Sequence, residues 1–248
     1  MLDFGKSRCP LIPISSPTGN RILDDLPQLE LAALRPHMRD VSLKSGEVLY
    51  NPSETLSHIY FPLSCVLSVI ALMQDGSGVE IGTTGREGLS GSVALMLGTL
   101  KAPSQTICQV PGDAKCVPLE VFQAAIQNGS QLHSLTQNYA RSSVALMGQS
   151  IACNRLHTLT ERCARWLLLT HDRVGADQFS LTQEFLAMML GVHRPAVSIA
   201  AGALQQAGFI RYRRGHLSVV DREGLESASC ECYRVAMGQL NGNGVAHS

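Results

Sequence analysis

The sequence predicts an α+β chain: an N-terminal antiparallel β-roll of the jelly-roll kind, one long helix, and a C-terminal winged helix-turn-helix. Three observations carry this. Short apolar runs alternate with turn residues from Val41 to about Leu119. Helical spacing then runs almost unbroken from Gln131 to Leu156. Last come two short helices joined at a glycine, followed at once by a basic hairpin.

Composition sets the frame. In 248 residues, apolar types make up 45% and charged types 16%, a balance that buries a core rather than leaving the chain disordered. Lys plus Arg and Asp plus Glu stand at 20 each, so any nucleic-acid signal must be local. No apolar run approaches the roughly 18 residues that span a bilayer, so no membrane partner is expected. Residues 1–20 read as a loose leader without the apolar centre of an export signal, and a cytoplasmic setting is expected. The 8 cysteines are scattered, which argues for reduced, buried thiols rather than a disulfide scaffold. Cys230-x-Cys232 is the closest pair. One intervening residue is poor spacing for zinc, so packing is expected and no metal ligand is assigned.

Asp24 to Arg39 has helical spacing, with Pro27 suited to a first turn. In the following region Val48–Tyr50, His58–Phe61, Val66–Leu72 and Val79–Gly82 fit strands bounded by Gly46, Pro52, Gly76 and Gly85. Such closely spaced short strands close into a barrel or roll. Leu119 to Gln127 is a short amphipathic helix ended by Asn128-Gly129.

The long helix carries two apolar stripes. Leu132, Leu135, Tyr139, Leu146 and Cys153 form one; Ala140, Val144, Met147 and Ile151 form the other. A helix with two apolar stripes buries two sides. One side covers its own roll and the other wants a second chain, which predicts a homodimer. Its interface would include Leu135, Tyr139, Val144, Leu146, Met147 and Ile151. A further helix spans Thr160 to Asp172.

Thr182 caps the next helix and Gly191 stops it. Pro195 sits in the first turn of a second helix that ends near Gly208. Phe209–Tyr212 and Leu217–Val220 then read as two wing strands around the turn Arg213-Arg214-Gly215-His216. Between Ser180 and Arg222 stand five Arg against two acids, so this face is basic in a neutral chain. The stretch LTQEFLAMMLGVHRPAVSIAAGALQQAGFIRYRRGHLSVVDREGLE resembles the winged helix-turn-helix of the Crp/Fnr family of bacterial transcription regulators. The upstream layout is similar to that family too, over roughly residues 22–233.

The resemblance implies a leader (1–20), a cyclic-nucleotide-binding-like sensor roll (21–129), a dimerisation helix (130–156), a DNA-binding domain (157–234) and a tail (235–248). It implies a homodimeric, sequence-specific regulator on double-stranded DNA at a pseudo-palindromic operator, with RNA polymerase as a further partner. By position, His193, Arg194 and Ser198 would reach base edges. Thr182, Gln183, Arg213, Arg214 and His216 would hold phosphates. Pro195 and Ile199 stand where many relatives have Glu and Arg, so the base-reading set differs.

The family's nucleotide cradle pairs a Glu on ribose with an Arg on phosphate. Here Ser92 and Ser104-Gln105 occupy those places, and Arg86 lies before the turn. A buried phosphate would go unpaired, so no response to cyclic AMP is expected. No cofactor is assigned either. An iron–sulfur cluster needs four cysteines and the leader offers Cys9 alone, while His58, Cys65 and Cys108 are haem candidates by type only. The sequence holds no P-loop, no Gly-x-Ser-x-Gly and no His-Glu-x-x-His, so no enzyme is expected. The rival reading is a ligand-binding or scaffold protein whose helix-turn-helix makes protein contacts only.

Overall fold

The computed structural model describes residues 17–127 and 129–240. The described residues begin with α1 (Arg21–Asp24) and α2 (Gln28–Leu34), followed by a turn of 3-10 helix at Arg35–His37. The single helix expected over 24–39 is thus broken. Pro27 has no N–H to donate and its ring disfavours helix in the residue before it, so it caps α2 instead of sitting inside a longer helix.

Seven strands build the roll: β1 (Arg39–Leu43), β2 (Val48–Tyr50), β3 (His58–Pro62), β4 (Val66–Leu72), β5 (Gly78–Thr84), β6 (Gln105–Val110) and β7 (Gly112–Pro118). They form two antiparallel sheets, ordered β1-β7-β3 and β2-β6-β4-β5. The sheets face one another across a small core of Leu43 and Ala114 from one and Leu67 and Cys108 from the other, joined by Cys65. A short helix, α3 (Ser92–Met96), interrupts the roll between β5 and β6. Strands β1, β6 and β7 were not individually legible. Thr, Gln, Lys and Asp blur their alternation, and pairing with neighbours decides their state.

After α4 (Leu119–Ala125), the long helix α5 runs Gln131–Leu156, with the Ser130 hydroxyl accepting from His133 N at its start. Next comes α6 (Leu159–Val174), opened by a capping box in which Thr158 and Glu161 satisfy one another's free N–H groups. The C-terminal module adds β8 (Gln178–Ser180), α7 (Gln183–Leu190), α8 (Arg194–Gln206), β9 (Ile210–Arg213), β10 (His216–Val219) and α9 (Arg222–Ser227). The described residues end in α10 (Cys232–Leu240). Residues 235–240, read as tail from sequence, therefore continue a helix. Its buried Tyr233 and Ala236 explain why it holds.

The two halves share one core. Val66, Ile70, Ile107 and Val110 of the four-stranded sheet pack with Trp166, Leu167, Leu186, Met189, Val197 and Leu217 of the C-terminal module. The roll's outer face is thus a packing surface for α6 and α7.

Candidate nucleic-acid interface

The helix-turn-helix is built from local chemistry. The Thr182 hydroxyl accepts from Phe185 N at 3.1 Å and starts α7. Gly191 ends it in the left-handed conformation, φ 63°, which a residue with a side chain adopts only with strain. The chain then bends by 103° into α8. Val197, Ala200, Ala201 and Leu204 turn that helix's apolar face inward.

The outward face holds the expected base readers. His193, Arg194 and Ser198 are all exposed. The Arg194 guanidinium pairs with Glu184 of α7 at 2.9 Å, with both side chains still open to solvent. The Ser198 hydroxyl lies 2.8 Å from Gln183 Oε1 and 3.2 Å from the Arg194 carbonyl. Gln183 is thereby partly occupied in bracing the two helices, beyond the phosphate role expected of it. Ile199, one residue on, is 76% exposed and stands on the same helix as a large apolar side chain without cover.

The wing has three strands rather than the two read from sequence, in the order β8-β10-β9. β8 is only three residues long, and its pairing with β10, Leu217 opposite Phe179, makes it a strand. At the tip, Arg214 and Gly215 have φ of 49° and 79°. Two successive positive φ values make a tight hairpin turn whose twist matches the strands, and Gly215 supplies one at little cost. Arg213 and His216 face one another across that turn, and Arg211, Arg213, Arg214 and His216 are all exposed. Two bonds set the wing against the helices: Tyr212 N donates to Gln205 Oε1 at 2.7 Å, and Tyr212 Oη donates to the Leu181 carbonyl at 2.8 Å. The structure thus gathers Thr182, Gln183, His193, Arg194 and Ser198 with Arg213, Arg214 and His216 in one module.

The six residues expected at a dimer interface divide. Val144 and Ile151 point outward, 44% and 73% exposed, joined by Leu156 at 76%. Tyr139 is buried inside its own chain, where its hydroxyl donates to Thr84 Oγ1 at 3.0 Å. Leu135 packs on the roll's core, and Leu146 and Met147 line a cavity between roll and helices.

That cavity, about 210 Å³, is bounded by Ser92 and Ser104 of the roll and by Arg162, Arg165, Trp166 and Arg173 of α6. The sequence leads one to look for a cation within the roll's own cradle; the cations come instead from α6, far along the chain. Arg173 is committed to Glu87 at 2.8 Å in a nearly buried pair. Burial pushes the Glu80 carboxyl up to about 7, although Ser68 and Trp166 donate to it. Of the haem candidates, Cys65 and Cys108 lie together in the inter-sheet core and His58 sits beside Tyr60 at the start of β3.

The Crp-like helix-turn-helix domain family matches residues 161–228. No curated protein matches the chain. Among solved structures, FixK2 from Bradyrhizobium japonicum is 15% identical with a TM-score of 0.65, covering 78% of this chain and 98% of its own. A Crp/Fnr-family transcriptional regulator from Thermus thermophilus is 20% identical, TM-score 0.62, covering 77% of this chain and 98% of its own. The c-di-GMP responsive regulator CLP of Xanthomonas campestris is 14% identical, TM-score 0.61, covering 77% and 97%. The chain therefore has the Crp/Fnr fold and carries a Crp-like helix-turn-helix, the DNA-binding domain of Crp/Fnr-type transcription regulators.

Proposed function

We propose that this protein regulates transcription by binding a pseudo-palindromic operator as a homodimer. The observation that carries the reading is the joint exposure of Arg194 on α8 and of Arg213 and Arg214 at the wing tip, in one module. A helix N-terminus in the major groove and a basic hairpin on the flanking backbone need that arrangement. Arg194 would exchange Glu184 for the O6 and N7 of guanine. Ile199, 76% exposed, fits apolar contact with a thymine methyl. His193 and Ser198 would complete the base contacts, and Thr182, Gln183 and His216 the phosphate contacts.

Val144 and Ile151 support the dimer, since two large apolar side chains seven residues apart share one α5 face and call for cover. The cavity's roll side has Ser92 where the family's ribose-binding Glu would be, which supports an effector other than cyclic AMP. Footprinting of the intact protein on genomic DNA tests the reading. Protected sites should share an inverted repeat, and affinity should fall steeply with salt. Binding without sequence preference would refute it, and no binding to DNA at all would favour the protein-contact reading of the helix-turn-helix.

A further inference from the structure

Away from the DNA-binding face, four sulfur and nitrogen donors converge. Cys153 lies in the last turn of α5 and His157 caps it, four positions on and so on the same side of the helix end. Cys230 and Cys232 come from the turn that opens α10. The donor atoms of all four lie within 4.8 Å of one another. Cys153 Sγ and Cys230 Sγ are 3.6 Å apart, and Cys232 Sγ and His157 Nδ1 are 3.6 Å apart. A disulfide needs about 2.05 Å, so the sulfurs are unbonded. With zinc–sulfur bonds of about 2.3 Å and zinc–nitrogen bonds of about 2.0 Å, the edges of a tetrahedral site run to roughly 3.5–3.8 Å.

We propose that Cys153, His157, Cys230 and Cys232 form a structural zinc site, one ion per chain, that clamps the end of α5 to the start of α10.

The surroundings are those of a metal site rather than of ordinary packing. The three cysteines are buried against one another as a separate cluster, apart from the aliphatic cores. Glu231 Oε2 takes His157 Nε2 at 3.1 Å, which leaves Nδ1 free to face the sulfurs. A carboxylate behind a histidine in this way fixes the tautomer a metal needs. Gln149 Nε2 lies 3.0 Å from Cys232 Sγ, placed to donate to a thiolate. Burial raises the Cys153 thiol, and the positive charge of Arg165 pulls the other way. Each thiol gives up a proton as the metal binds, so three protons leave and the loaded site carries one net negative charge. Arg162 and Arg165, whose Nε atoms are buried without hydrogen-bond partners, are close enough to balance it. Thiolate and imidazole donors select zinc over magnesium or calcium, and four protein ligands close the coordination sphere, which makes the site structural.

The placement gives the metal a mechanical role. His157 is the first of the two extended residues between α5 and α6. Cys230 and Cys232 follow α9, the last element of the helix-turn-helix module, and α10 then runs back along α5, where Ser142 Oγ donates to the Gln239 carbonyl at 3.3 Å. Zinc would lock that joint and hold the module on the long helix. This consequence rests on the DNA-binding reading; the site itself does not.

The full-length protein, reduced and stripped of metal by chelation, should be titrated with cobalt(II) alone and then zinc(II) alone. Near-ultraviolet thiolate-to-cobalt bands and intense visible bands of tetrahedral cobalt are expected, saturating at one ion per chain and bleached by one zinc. X-ray absorption on the zinc-loaded wild type should show three sulfurs near 2.3 Å and one nitrogen near 2.0 Å. Cys153→Ser and Cys232→Ser should each weaken binding by more than the roughly 10–100-fold of an outer-shell change. No tetrahedral cobalt spectrum, or a zinc shell of four sulfurs or of oxygen and nitrogen alone, would overturn the site. The X-ray absorption measurement needs no variant, so it decides even where a serine variant fails to fold.

Discussion

Trp166 Nε1 donates a hydrogen bond to Glu80 Oε1 at 2.9 Å, joining α6 of the C-terminal module to strand β5 of the roll. Ser68 Oγ reaches the other carboxylate oxygen at 2.6 Å. Glu80 also borders the cavity, so one carboxyl touches both halves of the chain and the space between them.

Burial raises the Glu80 carboxyl from 4.5 to about 7, with hydrogen bonds from Ser68 and Trp166 and the charges of Arg173 and Arg165 offsetting part of the rise. The folded chain therefore holds a proton that the unfolded chain has lost between about pH 4.5 and 7. Stability from this group is fully present below that window and declines as pH rises through it, by about 1–3 kcal/mol. Glu80→Gln should flatten the decline and raise the unfolding midpoint near pH 8. Urea titrations at about pH 5 and pH 8 provide the check; parallel shifts in wild type and variant would remove Glu80 as the source.

Arg194→Ala should cost more on the operator than on random DNA, because the deleted group reads a base edge. The expected difference is about 1–3 kcal/mol. Equal losses on both DNAs would make Arg194 a phosphate contact.

Replacing Arg213 and Arg214 together by Ala should weaken binding to every sequence. The slope of log affinity against log salt should fall by up to about two, one for each phosphate left without its arginine. An unchanged slope would show that the wing tip points away from the duplex.

Cyclic AMP should neither bind measurably nor raise operator affinity, since Ser92 stands in the place of the ribose-holding Glu. Titration calorimetry decides it, and micromolar binding would overturn the expectation.

Val144→Glu or Ile151→Glu should dissociate the dimer by burying like charges face to face, at a cost of several kcal/mol. Operator affinity should fall with it, because two recognition helices about 34 Å apart need two chains. These two sites are cleaner than Leu146, which borders the cavity and would disturb the chain's own interior. Sedimentation of both variants beside wild type tests this, and a wild-type monomer that binds its operator tightly would overturn the assembly.

What the sequence determined by itself is local. Gly191 between Thr182-capped α7 and α8, the Arg214-Gly215 turn and the unbroken spacing of 131–156 are short-range signals, and each element formed where those residues put it. The exposure of His193, Arg194 and Ser198 followed from the same helical period. Long-range pairing was decided only by the tertiary structure. β8 is a strand because Leu217 lies opposite Phe179, and Tyr139 is interior because Thr84 meets its hydroxyl. The cavity's arginines arrive from α6, and Cys153 meets Cys230 across 77 positions. Periodicity reports which face of an element is apolar. It carries no information on which distant element will cover that face, and burial energy, summed over the whole packed chain, settles that choice.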